Sequence, residues 1–239
     1  EAFVRLGHGI IVFPGGVGTA EEILYMLGIL LNPENDGLNY PLIFTGPRSA
    51  AAYFEQIDRF LRLCLGDDAA RLYEIIIEDP STVARRMVSG LRKVREHRLD
   101  AKDAFFYNWS LRIPEAFQHP FDPTHEAMAA LNLHRDQPAH ELAADLRRAF
   151  SGIVAGNVKE QGMRRIEAHG PFEISGDPEV MAALDALPPR ARAVVILRRF
   201  ENLTYPQIAQ RLGISVSAVE KHMVRAMSAL RVDLVEGDR

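Results

Sequence analysis

The stretch "HGIIVFPGGVGTAEE", His8 to Glu22, limits the possible folds more than any other part of the chain. Four consecutive apolar residues, Ile10 to Phe13, read as a short strand buried on both faces. Pro14, Gly15, Gly16 and Gly18 then impose a tight turn, and helical spacing runs from Ala20 to about Leu31. A strand that passes through a glycine turn into a helix leaves unpaired backbone N–H groups at the helix start, where the macrodipole adds partial positive charge. Anions bind in such places. The Thr19 hydroxyl either binds the anion or caps the helix, because Thr19 and Glu22 also fit a Thr-x-x-Glu capping box. No Gly-Lys-Ser/Thr follows, so this is not the ATPase phosphate loop. The third glycine of the dinucleotide fingerprint would fall on an acidic residue. Spacing alone leaves capping and chemistry both open.

The same alternation continues downstream. "PLIFTGP" reads as a second strand, "AAYFEQIDRFLRLCLG" as a helix, "YEIIIED" as a third strand, and a further helix capped by Ser81 or Asp79 runs towards His97. Strand and helix in strict succession imply parallel strands with crossover helices, the doubly wound, Rossmann-like α/β class. From Leu99 to about Pro123 the pattern gives way to an aromatic, proline-rich stretch. Its "FFYNWS" segment reads as core packing, with nucleobase stacking as the alternative. Asn108 and Arg112 are its most interesting polar residues, without an assigned role. Helical periodicity returns in "HEAMAALNLH" and in the long segment that starts "ELAADLRRAF", where Gly152 and Gly156 either loosen a helix or admit a close neighbour.

With 239 residues, 47% of them hydrophobic, the chain can build one core and a small second domain. Its net charge of −4 conceals a basic tail: Pro188 to Arg231 holds eight basic residues against two acidic ones. "LPPR" marks the boundary, since Pro188 discourages helix at Leu187. The expected division is an α/β segment over 1–98, a helical region over 99–186 and a small all-α domain over 187–239. The single cysteine, Cys64, excludes an intrachain disulfide and reads as a buried thiol. Eight histidines without His-Glu-x-x-His spacing argue against a metal site, and no cofactor is expected. No apolar run approaches the roughly 20 residues of a membrane span, so a cytoplasmic protein without a membrane partner is expected, and a homo-oligomer. The opening on Glu1, close to a strand, suggests a fragment.

"PGGVGTAEE" resembles the Pro-Gly-Gly-x-Gly-Thr-x-x-Glu signature of the LOG-type phosphoribohydrolases, once catalogued as lysine decarboxylases. The similarity continues through "LYMLGILLNPEN", "YPLIFTGP" and "FFYNWSLRIPEAFQHPFDPTHEAM". Over about residues 1–180 it resembles the carboxyl-terminal part of the bacterial pyrimidine/purine nucleotide 5'-monophosphate nucleosidases. What this resemblance implies is hydrolysis of the N-glycosidic bond of a nucleoside 5'-monophosphate, giving free base and ribose 5-phosphate. Cleavage builds oxocarbenium-like charge on the ribose, which a carboxylate can stabilise. The signature's last glutamate maps to Glu22, with Glu21 as helper or ribose ligand, and Gly15, Gly16, Gly18 and Thr19 hold the 5'-phosphate. In that family an arginine and a second glycine-rich loop upstream of the strand at Ile10 complete the site, so an impaired hydrolase is expected.

The basic tail carries a different pattern. In "TYPQIAQRLGISVSAVEKHMVRAMSALR", Ile208, Ala209 and Leu212 mark one helix, Gly213 a turn, and Ser215 the cap of a second helix. That is helix-turn-helix spacing, and its second helix would present Ser217, Glu220, Lys221 and Arg225 to a major groove, with Arg198 and Arg199 for phosphates. The segment "ALPPRARAVVILRRFENLTYPQIAQRLGISVSAVEKHMVRAMSALR" resembles the promoter-reading region 4 of extracytoplasmic-function sigma factors, especially the iron-uptake type. That resemblance implies promoter DNA and RNA polymerase as partners. The chain thus reads as a chimera whose parts meet near Asp185 to Pro188.

Overall fold

A computed structural model describes residues 2–15, 17–103, 106–158, 160–186, 204–212 and 216. A short helix α1 (Ala2–Leu6) precedes β1 (Ile10–Val12), α2 (Val17–Leu30), β2 (Leu42–Gly46), α3 (Ala51–Ala70), β3 (Glu74–Ile77) and α4 (Pro80–Asp100). The three strands form a parallel sheet in the order β1-β2-β3, with Ile11 opposite Ile43 and Phe44 opposite Ile75. This is the α/β alternation expected from the sequence, and the helix after β3 is capped by Asp79, whose carboxylate accepts from the Thr82 N–H at 2.8 Å.

The central strand explains how the core divides. Leu42, Ile43, Phe44 and Thr45 are all buried, as a strand covered on both faces requires. Phe44 stacks on Phe54 of α3 and on Tyr73, with ring centroids 5.6 and 4.6 Å away. Ile43 points to the other face, where α4 packs on β2 and β3. The Thr45 hydroxyl is buried at no cost because it donates to the Ile76 carbonyl at 2.6 Å. β1 departs from the sequence reading. It lies at the sheet edge, no strand pairs with its outer side among the described residues, and Ile11 is 38% exposed rather than buried on both faces.

Beyond α4, the chain adds α5 (Glu115–Gln118), α6 (His125–Ala129), β4 (Asn132–Leu133), α7 (Ala139–Val158), α8 (Glu160–His169), β5 (Ser175–Gly176) and α9 (Pro178–Ala186). α2 and α7 pack along one another at the centre of the molecule. α2 accordingly buries Ala20, the run from Ile23 to Leu27, Ile29 and Leu30, each large side chain contributing about 1.5–3 kcal/mol. The glycines of the α7 segment admit close neighbours: Gly152 faces Met128, Gly156 faces Ile166, and Gly162 of α8 rests against the backbone of Ala155. Cys64 is buried in the core, and burial pushes its thiol up to about 12. The last described helix, α10 (Tyr205–Leu212), is the first of the two helices expected in the basic tail; Thr204 donates to the Gln207 side chain at its start. No helix among the described residues is long and apolar enough to cross a membrane.

Residues 106–110 of the "FFYNWS" segment lie at the surface, apart from Asn108. Phe106 is 83% and Trp109 64% exposed, and Tyr107 and Trp109 stack on each other with centroids 5.0 Å apart. Asn108, between them, points inward and is 1% exposed. Its amide donates to the carbonyls of Val4 and Gly7, and Arg5 donates back to the Asn108 carbonyl at 2.8 Å. Asn108 is therefore a clamp between α1 and this loop. Arg112 is engaged through its backbone, which pairs with the buried side chain of Asn35 in the short turn that follows α2.

Candidate active site

β1 ends at Val12, and the chain turns through Pro14 and Gly15 into α2 at Val17. The turn thus sits at the carboxyl end of a parallel strand and at the amino end of a 14-residue helix, where free N–H groups and the helix dipole converge. Gly15 is required by contact: a Cβ there would lie 2.0 Å from the Thr19 hydroxyl oxygen. Gly18 is different. A Cβ at that position would meet nothing within 4 Å, so this glycine borders open space at the helix start. The buried hydroxyl of Tyr53 on α3 approaches the Gly15 backbone without a well-formed hydrogen bond, and burial raises its pKa.

Because α2 begins at Val17, Thr19 is its third residue and Glu22 lies in its second turn. That geometry is not the capping box that the spacing allowed, in which Thr19 would precede the helix. Glu22 is exposed, whereas Glu21 is half-buried and turned towards α7. Successive helical residues point about 100° apart, so adjacent carboxylates face different surroundings. Gly16 lies outside the described residues, as do Ser217, Glu220, Lys221, Arg225, Arg198 and Arg199.

Glu21 faces Arg147, whose Nε lies 3.8 Å from its Oε1. Arg147 is only 8% exposed, and its guanidinium lies 5.4 Å from the ring centroids of both Tyr25 and Phe117. Desolvation lowers its pKa and the Glu21 charge opposes that shift. Sequence reasoning passed over this residue. The signal was present: Arg147 shares the apolar stripe of α7 with Ala143, Leu146 and Phe150, all buried, and a charge on such a stripe needs a built partner. Tyr53 had no comparable signal. No group of three His, Cys, Asp or Glu side chains among the described residues could hold a metal ion.

A parallel α/β sheet whose first strand opens through a glycine turn onto a helix start with an exposed glutamate defines the class of α/β proteins with an anion-accepting turn at the carboxyl end of a strand. Residues 1–87 match the family model described as "Possible lysine decarboxylase". Residues 91–199 match "Pyrimidine/purine nucleotide monophosphate nucleosidase, C-terminal", and residues 178–230 match "Sigma-70, region 4". Over 187 residues the chain is 58% identical to the pyrimidine/purine nucleotide 5'-monophosphate nucleosidase of Escherichia coli K12, covering 78% of this chain and 41% of that protein. The chain therefore spans well under half the length of this relative. It is also 36% identical over 62 residues to the RNA polymerase sigma factor SigV of Bacillus subtilis, covering 26% of this chain and 37% of that one. A third relative, SigF of Mycobacterium tuberculosis H37Rv, is 29% identical over 150 residues, covering 53% of this chain and 58% of that one. The chain joins nucleosidase-like sequence to sigma-like sequence, and the two family matches overlap across residues 178–199.

Proposed function

We propose that residues 1–186 bind a nucleoside 5'-monophosphate and hydrolyse its N-glycosidic bond. The observation that carries this reading is the open space over Gly18, flanked by the α2 amino terminus and the exposed Glu22. The 5'-phosphate sits on the turn from Gly15 to Thr19, and its binding energy positions the sugar over α2. Glu22 then faces the ribose, stabilises the oxocarbenium-like charge that grows as the bond to the base breaks, and orients or deprotonates the attacking water. Water adds to the anomeric carbon, the base leaves with the bonding pair and takes up the proton that the water gives up, and free base and ribose 5-phosphate remain. Similarity to the nucleosidase supports the choice of substrate class. The test is release of ribose 5-phosphate from AMP and UMP by the chain and by Glu22→Gln. Turnover that is equal in both proteins removes Glu22 from the mechanism.

Residues 187–239 are proposed to bind promoter DNA and to contact RNA polymerase, a second reading favoured by the match to sigma region 4. Ser217, Glu220, Lys221 and Arg225 read bases, while Arg198 and Arg199 hold phosphates. A homo-oligomer of the α/β part and a domain division at residues 98 and 186 belong to the same proposal. Sedimentation and limited proteolysis test them.

A further inference from the structure

A buried arginine is costly unless its partner is supplied by the fold, and Arg147 is supplied with three partners from two directions. Glu21 and Tyr25 come from one face of α2, four residues apart, and Phe117 comes from α5. Tyr25 and Phe117 meet edge to face at 5.3 Å, so the two rings form a fixed corner against the guanidinium. Arg147 is in turn anchored on α7 between the fully buried Leu146 and the buried Phe150. Such a constellation holds Glu21 in place.

The consequence is electrostatic. Glu21 lies in the second turn of α2, three residues after Gly18 and so on the face of the helix start that borders the open space at that glycine. An uncompensated carboxylate there would repel a phosphate and oppose the helix dipole. We infer that Arg147 is a positioning residue for the phosphate turn: it draws Glu21 towards α7, neutralises it, and leaves Glu22 as the carboxylate presented to the ligand. This rests on the nucleotide-site reading above. It assigns the two neighbouring glutamates opposite tasks, Glu21 to the α2–α7 interface and Glu22 to the ligand.

Calorimetry with AMP, and separately with inorganic phosphate, on the 239-residue chain tests the inference. Arg147→Met is expected to weaken both ligands about tenfold, the effect of one unscreened like charge at the edge of the site. Arg147→Met/Glu21→Gln is expected to regain most of that affinity, although it restores no ion pair. A purely architectural arginine would show no such rescue, because the double variant lacks the same packing. Where Arg147→Met fails to fold, Arg147→Gln with and without Glu21→Gln gives the same comparison. Wild-type binding that survives either Arg147 substitution unchanged, or a double variant no better than the single, overturns the inference while leaving the nucleotide site standing. Absence of AMP and phosphate binding in the wild-type chain overturns both.

Discussion

At the scale of single residues, the turn after β1 separates glycines by what surrounds them. Gly15 has Thr19 seated on it, whereas Gly18 faces open space. Gly18→Val should therefore fold, with a melting temperature near that of wild type, and should weaken AMP binding by roughly tenfold or more, since the branched side chain fills the space an anion needs. Calorimetry beside a thermal melt checks both halves; retained affinity would move the phosphate elsewhere. Glu22→Gln should lower turnover on the order of 100-fold with little change in AMP affinity, because the carboxylate acts on charge that develops only in the transition state. The turn itself and the helix after it were legible in the sequence, since a glycine cluster between an apolar run and a helical pattern marks a strand-turn-helix passage. The family resemblance singled out Glu22, but nothing in the sequence placed Glu21 against α7. Two adjacent carboxylates look alike until the rotation of the helix decides which faces α7, and Arg147 lies 126 residues away along the chain.

At the scale of elements, close contacts rather than propensities set the helical half. A Cβ on Gly162 would lie 2.4 Å from the Ala155 carbonyl oxygen, a backbone atom that cannot rotate away. Gly162→Ala should thus cost about 1–3 kcal/mol by forcing α7 and α8 apart, despite alanine's better helix propensity; denaturant unfolding measures it. β4 and β5 are only two residues each, and their pairing is held by Asp177, which accepts from the backbone and side chain of Arg135 and contacts His134 at 3.1 Å. The Arg135 backbone bond, then His134 and the Arg135 side chain, lower the Asp177 pKa to about 2. A depressed carboxylate stabilises the fold above its unfolded pKa, near 4, and that contribution disappears as pH falls through about 2. Wild type should accordingly melt higher than Asp177→Asn at pH 5, with the gap closing towards pH 2. A gap that widens with acid contradicts the assignment. β4 and β5 were invisible in the sequence, because strands this short carry no periodicity.

At the scale of the whole molecule, a weakly acidic average covers a nucleosidase-like part and a basic, sigma-like tail. The tail predicts DNA binding dominated by phosphate neutralisation, with log K falling against log salt by about 0.9 for each phosphate contact. Arg199→Ala should weaken all sequences alike and reduce that slope, whereas Lys221→Ala should relax base preference by roughly 1–3 kcal/mol. Fluorescence anisotropy on promoter and scrambled duplexes across a salt series separates the two effects; a salt-independent signal would leave the tail without a nucleic-acid role. Local order was what the sequence determined: the parallel α/β succession, the glycine turn into α2, the helix at Tyr205 and the change of composition at Leu187 all follow from patterns within a few turns of chain. Tertiary structure alone decided which strand is the sheet edge, why Trp109 faces solvent while Asn108 is buried, and which glutamate Arg147 holds. Those outcomes depend on contacts between residues as far apart as Val4 and Asn108, and no local spacing encodes where a distant backbone carbonyl or guanidinium will arrive.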